Sequence, residues 1–374
     1  MRVILFSAAL TLFTPYLLFA QKDSVQIFKV WRTGINYKSY IIANNDLFAL
    51  NDSGKLVIWD LTKLDTIHFA HNNSLLHYTA IAKDRNNNVF LGTSKGQIFK
   101  IIPENLTYSL YLKTKYTIRY ICFNSSNRLF LIVNNAVYDP ITKQYWDKFE
   151  NHSSGLRVTK KSFLFFKKTL SKYFAMPQYT FLDNQGKWWM TAVYGEFGGE
   201  LEIFDTINEG IADNKFSGIN QGGLSPRSVF EDDGDNIYIT CGLQHMMNFG
   251  EIYRIDKNRT VTKIFDGVTN QELINKKNIF DSGRDFVGPG AYNKIDQRIY
   301  FATSSGFYKA DPKADKIKAE FLFSTNFTWS REPMAVGVTM AILKLDFTID
   351  NRLLFLTEND GFGIYDGEKL MMLK

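Results

Sequence analysis

The sequence predicts an all-β protein, a seven-bladed β-propeller of four-stranded antiparallel blades with one helical insertion. Three observations carry this. A strand–turn–strand unit recurs in seven copies along the 374 residues. The copies start at intervals of roughly 40 to 60 residues, the range of propeller blades. Composition is strand-favouring, with 32 Phe, 19 Tyr and 15% aromatic residues.

The unit is a polar Asp/Asn/Gly turn, an apolar strand, a short Gly or Asn turn, and a second strand that often ends in Asp. It reads "ANNDLFALNDSGKLVIWD" at Ala43 to Asp60 and "KDRNNNVFLGTSKGQIFKI" at Lys83 to Ile101. "NSSNRLFLIVNNAVYD" covers Asn124 to Asp139, and "LDNQGKWWMTAVYGEFGGELEIFD" covers Leu182 to Asp205. "EDDGDNIYITCGLQHMMNFGEIYRID" spans Glu231 to Asp256, "IDQRIYFATSSGFYKAD" Ile295 to Asp311, and "IDNRLLFLTENDGFGIYD" Ile349 to Asp366. Within a strand the side chains alternate, so Val89 and Leu91 face one way and Phe90 and Gly92 the other. Asn, Asp and Gly tolerate the positive φ of tight hairpins.

A further strand precedes most turns ("YTAIAK", "TIRYICF", "YTFL", "RSVF", "AILKLDF"), and another often follows the unit ("YSLYLK", "TVTKIF", "IKAEFLF"). Four strands per unit make a blade, which buries its two faces only by stacking on its neighbours. Ring closure joins the chain ends. "SVQIFKVW" near the N-terminus and "KLMMLK" at the C-terminus are both available as outer strands of the last blade.

The units "DRNNNVFLGTSKGQIFKI" and "DNQGKWWMTAVYGEFGGELEIFD" resemble the blade repeat of two-component-regulator propellers, which runs D-x-x-G-x-[LIV]-W-[IV]-[GA]-T…G-[LIV]. Phe90, Trp189 and Tyr238 stand where that repeat has its Trp. "EDDGDNIYITCGLQHMMNFGEIYRID" also resembles blades of streptogramin-lyase and gluconolactonase-like propellers. The likeness covers most of the chain after residue 20 as a blade consensus. It implies the fold and a bacterial source. It leaves the activity open. The sequence ends just after the last repeat, so no kinase, anchor or sorting domain is expected there, nor direct signalling by this chain.

The first twenty residues, "MRVILFSAALTLFTPYLLFA", carry one charge, Arg2, then an apolar run with Pro15 late in it. This is the pattern of a secretory signal peptide over 1–20, followed by one propeller domain over 21–374. An uncleaved anchor is the alternative. No Cys follows the run, which argues against a lipoprotein, and no later segment reaches transmembrane length. Export to the periplasm or outside the cell is therefore expected. Cys122 and Cys241, in "RYICF" and "IYITCG", read as buried, inert thiols rather than a disulfide framework. The net charge of +6 is dispersed and gives nucleic-acid binding no support.

In a propeller whose strands run outward from first to fourth, the second-to-third loops and the blade-to-blade connections share one face. The long segments of that face are "YGEFGG" (Tyr194 to Gly199), "GLQHMMNFG" (Gly242 to Gly250), "FSGINQGGLSPRS", "NIFDSGRDFVGPG" and "TWSREPMAVG", all in blades four to seven. Elaborated loops on a regular scaffold are where function concentrates. The candidate ligand-binding residues are Tyr194, Glu196, Phe197, Arg227, His245, Asp281, Arg284, Asp285, Trp329, Arg331 and Glu332. Arg, carboxylate and aromatic groups on one funnel suit a carbohydrate, a small anionic ligand or another exported protein. The leading expectation is a non-catalytic binding module without cofactor. The alternative is a lyase- or lactonase-like enzyme, with His245 and Glu196 as acid and base and a divalent cation such as Ca or Mg.

The five His have no short metal-ligand spacing; His68 and His71 lie three apart in a strand edge, on opposite faces. "DRNNN" and "DDGDN" fit turn chemistry better than the twelve-residue calcium loop. One segment breaks the blade pattern. In "GLRVTKKSFLFFKKTLSKYFAMPQ" (Gly155 to Gln178), Phe163, Phe166, Leu170 and Phe174 recur at helical spacing beside five lysines, predicting an insertion helix about 155–178 that packs its Phe stripe on the propeller. Seven N-x-[ST] sequons occur, as Asn-rich turns supply them by chance.

Overall fold

The structure, a computed structural model, describes residues 26–27, 36–71, 76–134, 136–147, 161–163, 166–168, 176–195, 198–219, 224–244, 248–267, 285–324 and 342–373. Seven antiparallel blades follow in chain order, each with its strands hydrogen-bonded in sequence order. Blade one spans 37–67, two 78–113, three 118–146, four 179–211, five 226–266, six 287–323 and seven 342–373. First strands lie side by side in blades one to three and again in blades four to seven, so they are the innermost and line the channel.

The second strands explain the aromatic, β-branched composition. Val89–Thr93, Leu129–Val133 and Leu353–Thr357 are buried at every position, because each face meets another blade. The expected alternation holds: Val89 and Leu91 pack with blade one, and Phe90 with blade three. Gly92 faces blade three as well, where a Cβ would come within 2.5 Å of Ile118. Seven apolar clusters fill the seven interfaces between neighbouring blades. The one joining blade seven to blade one contains Tyr37, Trp59 and Phe362, with ring centroids 4.9–5.5 Å apart.

The polar residues of the repeat act as turn acceptors. Asp84 Oδ1 accepts from the amides of Asn86 and Asn88, and Asp232 Oδ1 from those of Gly234 and Asn236. Asn87 and Asp235 take the positive φ of these turns, at 59° and 57°. This is the turn chemistry expected of "DRNNN" and "DDGDN". The Asp that ends the third strand caps the next turn in the same way: Asp60, Asp205 and Asp366 each accept two backbone N–H groups.

Both candidate closing strands are used. Lys369–Leu373 is the fourth strand of blade seven, and Gln26–Ile27 adds a fifth, parallel to it. Two expectations need correction. The segment predicted as a helix about 155–178 shows a hairpin, Lys161–Phe163 paired with Phe166–Lys168, in its described part. The Phe- and Lys-rich run alternates as well as it repeats at helical spacing, and Phe is a strand former. The stretch "GLQHMMNFG" is not a long loop. Ile237–Gln244 and Asn248–Ile255 pair through to Gln244↔Asn248 and leave only 245–247 outside the described residues.

Candidate functional site

The first strands begin on the loop face, and there the pairing with the second strand slips in six blades. The slips fall between Tyr37 and Ser39, Tyr78 and Ala80, Ile118 and Tyr120, Pro226 and Ser228, Val287 and Gly290, and Ile342 and Lys344. A bulge takes one residue out of the ladder and re-aims its side chain. The residues so placed in blades one, two, three, five and seven are Lys38, Thr79, Arg119, Arg227 and Leu343. Three of the five are basic. Blade four pairs regularly from Tyr179 to Leu182.

Local contacts fix the level of this ring. Lys38 Nζ donates to Asp52 O, in the second-to-third turn of blade one, at 2.8 Å. Arg227 Nε donates to Gly242 O, near the loop-face end of its own blade, at 2.7 Å. Lys38 and Arg119 are exposed, whereas Arg227 is 5% exposed, its guanidinium over the Phe286 ring and paired with the Tyr179 hydroxyl. Burial lowers the Arg227 pKa, and Tyr179 partly restores it.

Just below, side chains reach from one inner strand to the next. Thr79 Oγ1 donates to Ile118 O, and the Tyr120 hydroxyl to Pro177 O at 2.8 Å. Tyr179 meets Arg227, and Ser228 Oγ accepts from Gly290 N at 2.8 Å. A hydrogen-bonded belt thus runs from blade two to blade six around the channel mouth.

Of the candidate residues, Tyr194, Arg227 and Asp285 lie among the described residues; Glu196, Phe197, His245, Asp281, Arg284, Trp329, Arg331 and Glu332 lie outside them. Arg227 and the Asp285 segment are brought together, because Phe286 packs under the guanidinium. Asp285 is 6% exposed and accepts from the hydroxyls of Ser304 and Ser305, which anchors the entry to blade six. Tyr194 is half-buried near Glu200 and Glu202; burial, then these carboxylates, raises its pKa. Gly242 and Gly250 pack against protein: a Cβ on Gly242 would lie 2.0 Å from Val287 O, and one on Gly250 2.6 Å from Asp285 O. They admit the backbone of blade six.

Sequence reasoning over loops missed Lys38 and Arg119. Their signal was a charge at the second position of an otherwise apolar strand, in "YKSYII" and "IRYICF" as in "PRSVFE". Among the described residues, no group of three or more His, Cys, Asp or Glu is arranged to hold a metal ion, so the described residues supply no donor set for the cation of the enzyme alternative.

No known family profile matches the chain, and no curated protein matches it. Solved structures do. The extracellular domain of a chain assigned to a hybrid two-component system of B. thetaiotaomicron superposes with a TM-score of 0.55 at 11% identity over 92% of this chain. The chain spans only 40% of that structure's length. Virginiamycin B lyase from Staphylococcus aureus gives 0.55 at 9% identity, covering 92% of this chain and 99% of the lyase. Hydrazine synthase of Kuenenia stuttgartiensis gives 0.54 at 9%, covering 92% and 97%. The structural neighbours therefore include both kinds of propeller that the repeats resemble, and at these identities they show the fold alone.

Proposed function

We propose that the chain is an exported binding module that takes its ligand at the channel mouth on the loop face. The carrying observation is the repeated bulge, which sets Lys38, Arg119 and Arg227 at one level around the mouth. The signal-like first twenty residues support export. No helix among the described residues is long and apolar enough to cross a membrane. The candidate ligands remain a carbohydrate, a small anion or an exported protein. The acid/base alternative rests on His245 and Glu196, outside the described residues, and no observed geometry favours it.

The test is a thermal-shift screen of the chain from Gln21 onward against neutral sugars, uronic acids, peptidoglycan fragments and divalent ions. A ligand of the folded state raises the midpoint by mass action. The expected result is a rise that Arg119→Ala and Lys38→Ala diminish without lowering the melting point of the free protein. A rise indifferent to both variants would remove the mouth from consideration. A rise with a divalent ion alone would favour the enzyme.

A further inference from the structure

Deeper in the channel two lysines sit astride the inner strand of blade one. Lys344, on blade seven, points its Nζ at Tyr40 O, 3.3 Å away, and lies 4.2 Å over the Tyr40 ring. Lys83, on blade two, donates to Ile42 O at 2.7 Å. Tyr40 and Ile42 are two residues apart, so their carbonyls leave the same edge of the strand, roughly 7 Å from each other. That edge is the channel edge, since the other pairs with Asp46–Asn51.

We propose that Lys344 and Lys83 form a subsite for a carboxylate group carried by a small ligand that enters the channel. An ammonium has three donors, and each of these spends one on a backbone carbonyl. The carboxylate in reach is Asp346, with Oδ2 3.9 Å from Lys344 Nζ, beyond hydrogen-bond distance. Asp346 Oδ1 accepts the amide of Phe347. The Lys344 side chain is 45% exposed, and Lys83 is exposed too, so both ammonium groups are open to a ligand. Burial lowers the pKa of both lysines, and Asp346 only partly offsets this. A second carboxylate would complete the compensation. Its two oxygens, each about 2.8 Å from an ammonium, bridge a gap of the size set by Tyr40 O and Ile42 O.

The surrounding charge agrees. The seven inner strands carry Lys38, Lys83, Arg119, Arg227 and Lys344 against Glu231 and Asp346, five cations to two carboxylates. Glu231 ends its inner strand as Lys83 ends its own, three blades away, and its Oε2 accepts from Asn184 N. A channel in which one sign of charge predominates concentrates the opposite ion.

The proposal deepens the reading of the channel mouth as the binding face and rests on it. Calorimetric titration of the chain from Gln21 onward at low salt tests it, with trigalacturonate, neutral galactotriose and a free-acid tripeptide as probes. A carboxylate probe is expected to bind, and Lys344→Met and Lys83→Met to weaken it by about tenfold or more. Lys344→Arg should retain part of the affinity. Neither Met variant should lower the melting point of the free protein, since each removes a partly desolvated charge. The sugar acid and the peptide arms say which source supplies the carboxylate. Equal binding of galactotriose and trigalacturonate, or carboxylate binding untouched by both Met variants, overturns the subsite. If Arg119→Ala still weakens such binding, the mouth stands without it. Loss in the Met variants with none in Lys38→Ala or Arg119→Ala keeps the subsite and sinks the mouth. No carboxylate binding at concentrations up to about 10 mM, where any affinity worth the name registers, overturns the subsite too.

Discussion

The indole Nε1 of Trp189 donates to Asp183 Oδ2 at 2.8 Å, while Asp183 Oδ1 accepts the amide of Lys187 at 2.7 Å. One carboxylate therefore closes the first turn of blade four and pins the aromatic ring of its second strand. Blade five repeats the device six residues apart, with the Tyr238 hydroxyl donating to Asp232 Oδ2 at 2.8 Å. In blade two Phe90 has no donor, and Asp84 Oδ2 takes the Asn88 side-chain amide instead. The spacing of Asp and aromatic in the repeat thus has a polar cause as well as an apolar one. Trp189→Phe should destabilise by about 1–3 kcal/mol, because it leaves a buried carboxylate oxygen without its donor. Asp183→Ala should cost more, since it also removes the turn acceptor. Denaturant titration of the two variants checks both the size and the order.

Glu231 gives a pH signature. Burial raises its pKa from 4.5 to about 7, against the Asn184 amide that lowers it and with Asp183, Asp235 and Asp232 adding to the rise. The folded state then holds the proton more tightly than the unfolded chain. Stability is therefore highest, for this group, below about 4.5 and is lost as pH rises towards about 7. Glu231→Gln should raise stability at pH 8 by about 2 kcal/mol and leave it unchanged at pH 4. Melting curves of both proteins across that range would show a gap that opens with pH; a constant gap refutes the assignment.

The two glycines of the blade-four and blade-five hairpins should respond differently to alanine. Gly242 has no room: a Cβ there would stand 2.0 Å from Val287 O and 2.8 Å from the Phe286 ring. Gly242→Ala should cost about 3 kcal/mol or prevent folding. Gly195 has φ of +63° and nothing within 4 Å, so Gly195→Ala should cost about 1 kcal/mol from the backbone alone. If Gly242→Ala melts like the parent, the blade-six backbone does not press where it is placed.

Arg128 ties blade three to blade four. It binds Asp139, whose side chain has 0% exposure, and Glu209 of the next blade. Arg128→Ala strands the Asp139 carboxylate, leaving it the amides of Ile141 and Thr142 and the Thr142 hydroxyl but no cation, and should cost about 3 kcal/mol. Adding Asp139→Asn should recover part of the loss, because the uncompensated charge goes with it. Equal stability of the single and double variants would mean that the charge was never buried.

Cys122 and Cys241 are free and buried in different blade interfaces, the first between blades three and four and the second between four and five. Burial pushes both thiols well above their usual pKa. Neither should react with a thiol reagent at pH 8 until denaturant unfolds the chain. Prompt labelling of one equivalent in native buffer would contradict this.

The inner-strand charges show where reading a single chain stops. Lys38 and Arg119 are legible as charges inside apolar strands, but nothing local says that both face one mouth. The insertion misled for a related reason: a short aromatic run satisfies helical and strand periodicity together, and only pairing chooses between them. The hairpin at Gly242 misled because its glycines imitate a loop, whereas they answer a backbone from the next blade.

What the sequence determined by itself is what short-range physics controls. The positions of Asp84, Asn87, Asp232 and Asp235 set the turns, and the alternation of Val89, Phe90 and Leu91 sets which blade each residue meets. These features need only neighbours a few residues away. The tertiary structure decided the rest. Ring closure uses both chain ends, and Lys344 reaches Tyr40 across 304 positions of sequence. Such contacts arise because seven half-buried sheets share one axis, and the packing that brings them together has no counterpart in local periodicity.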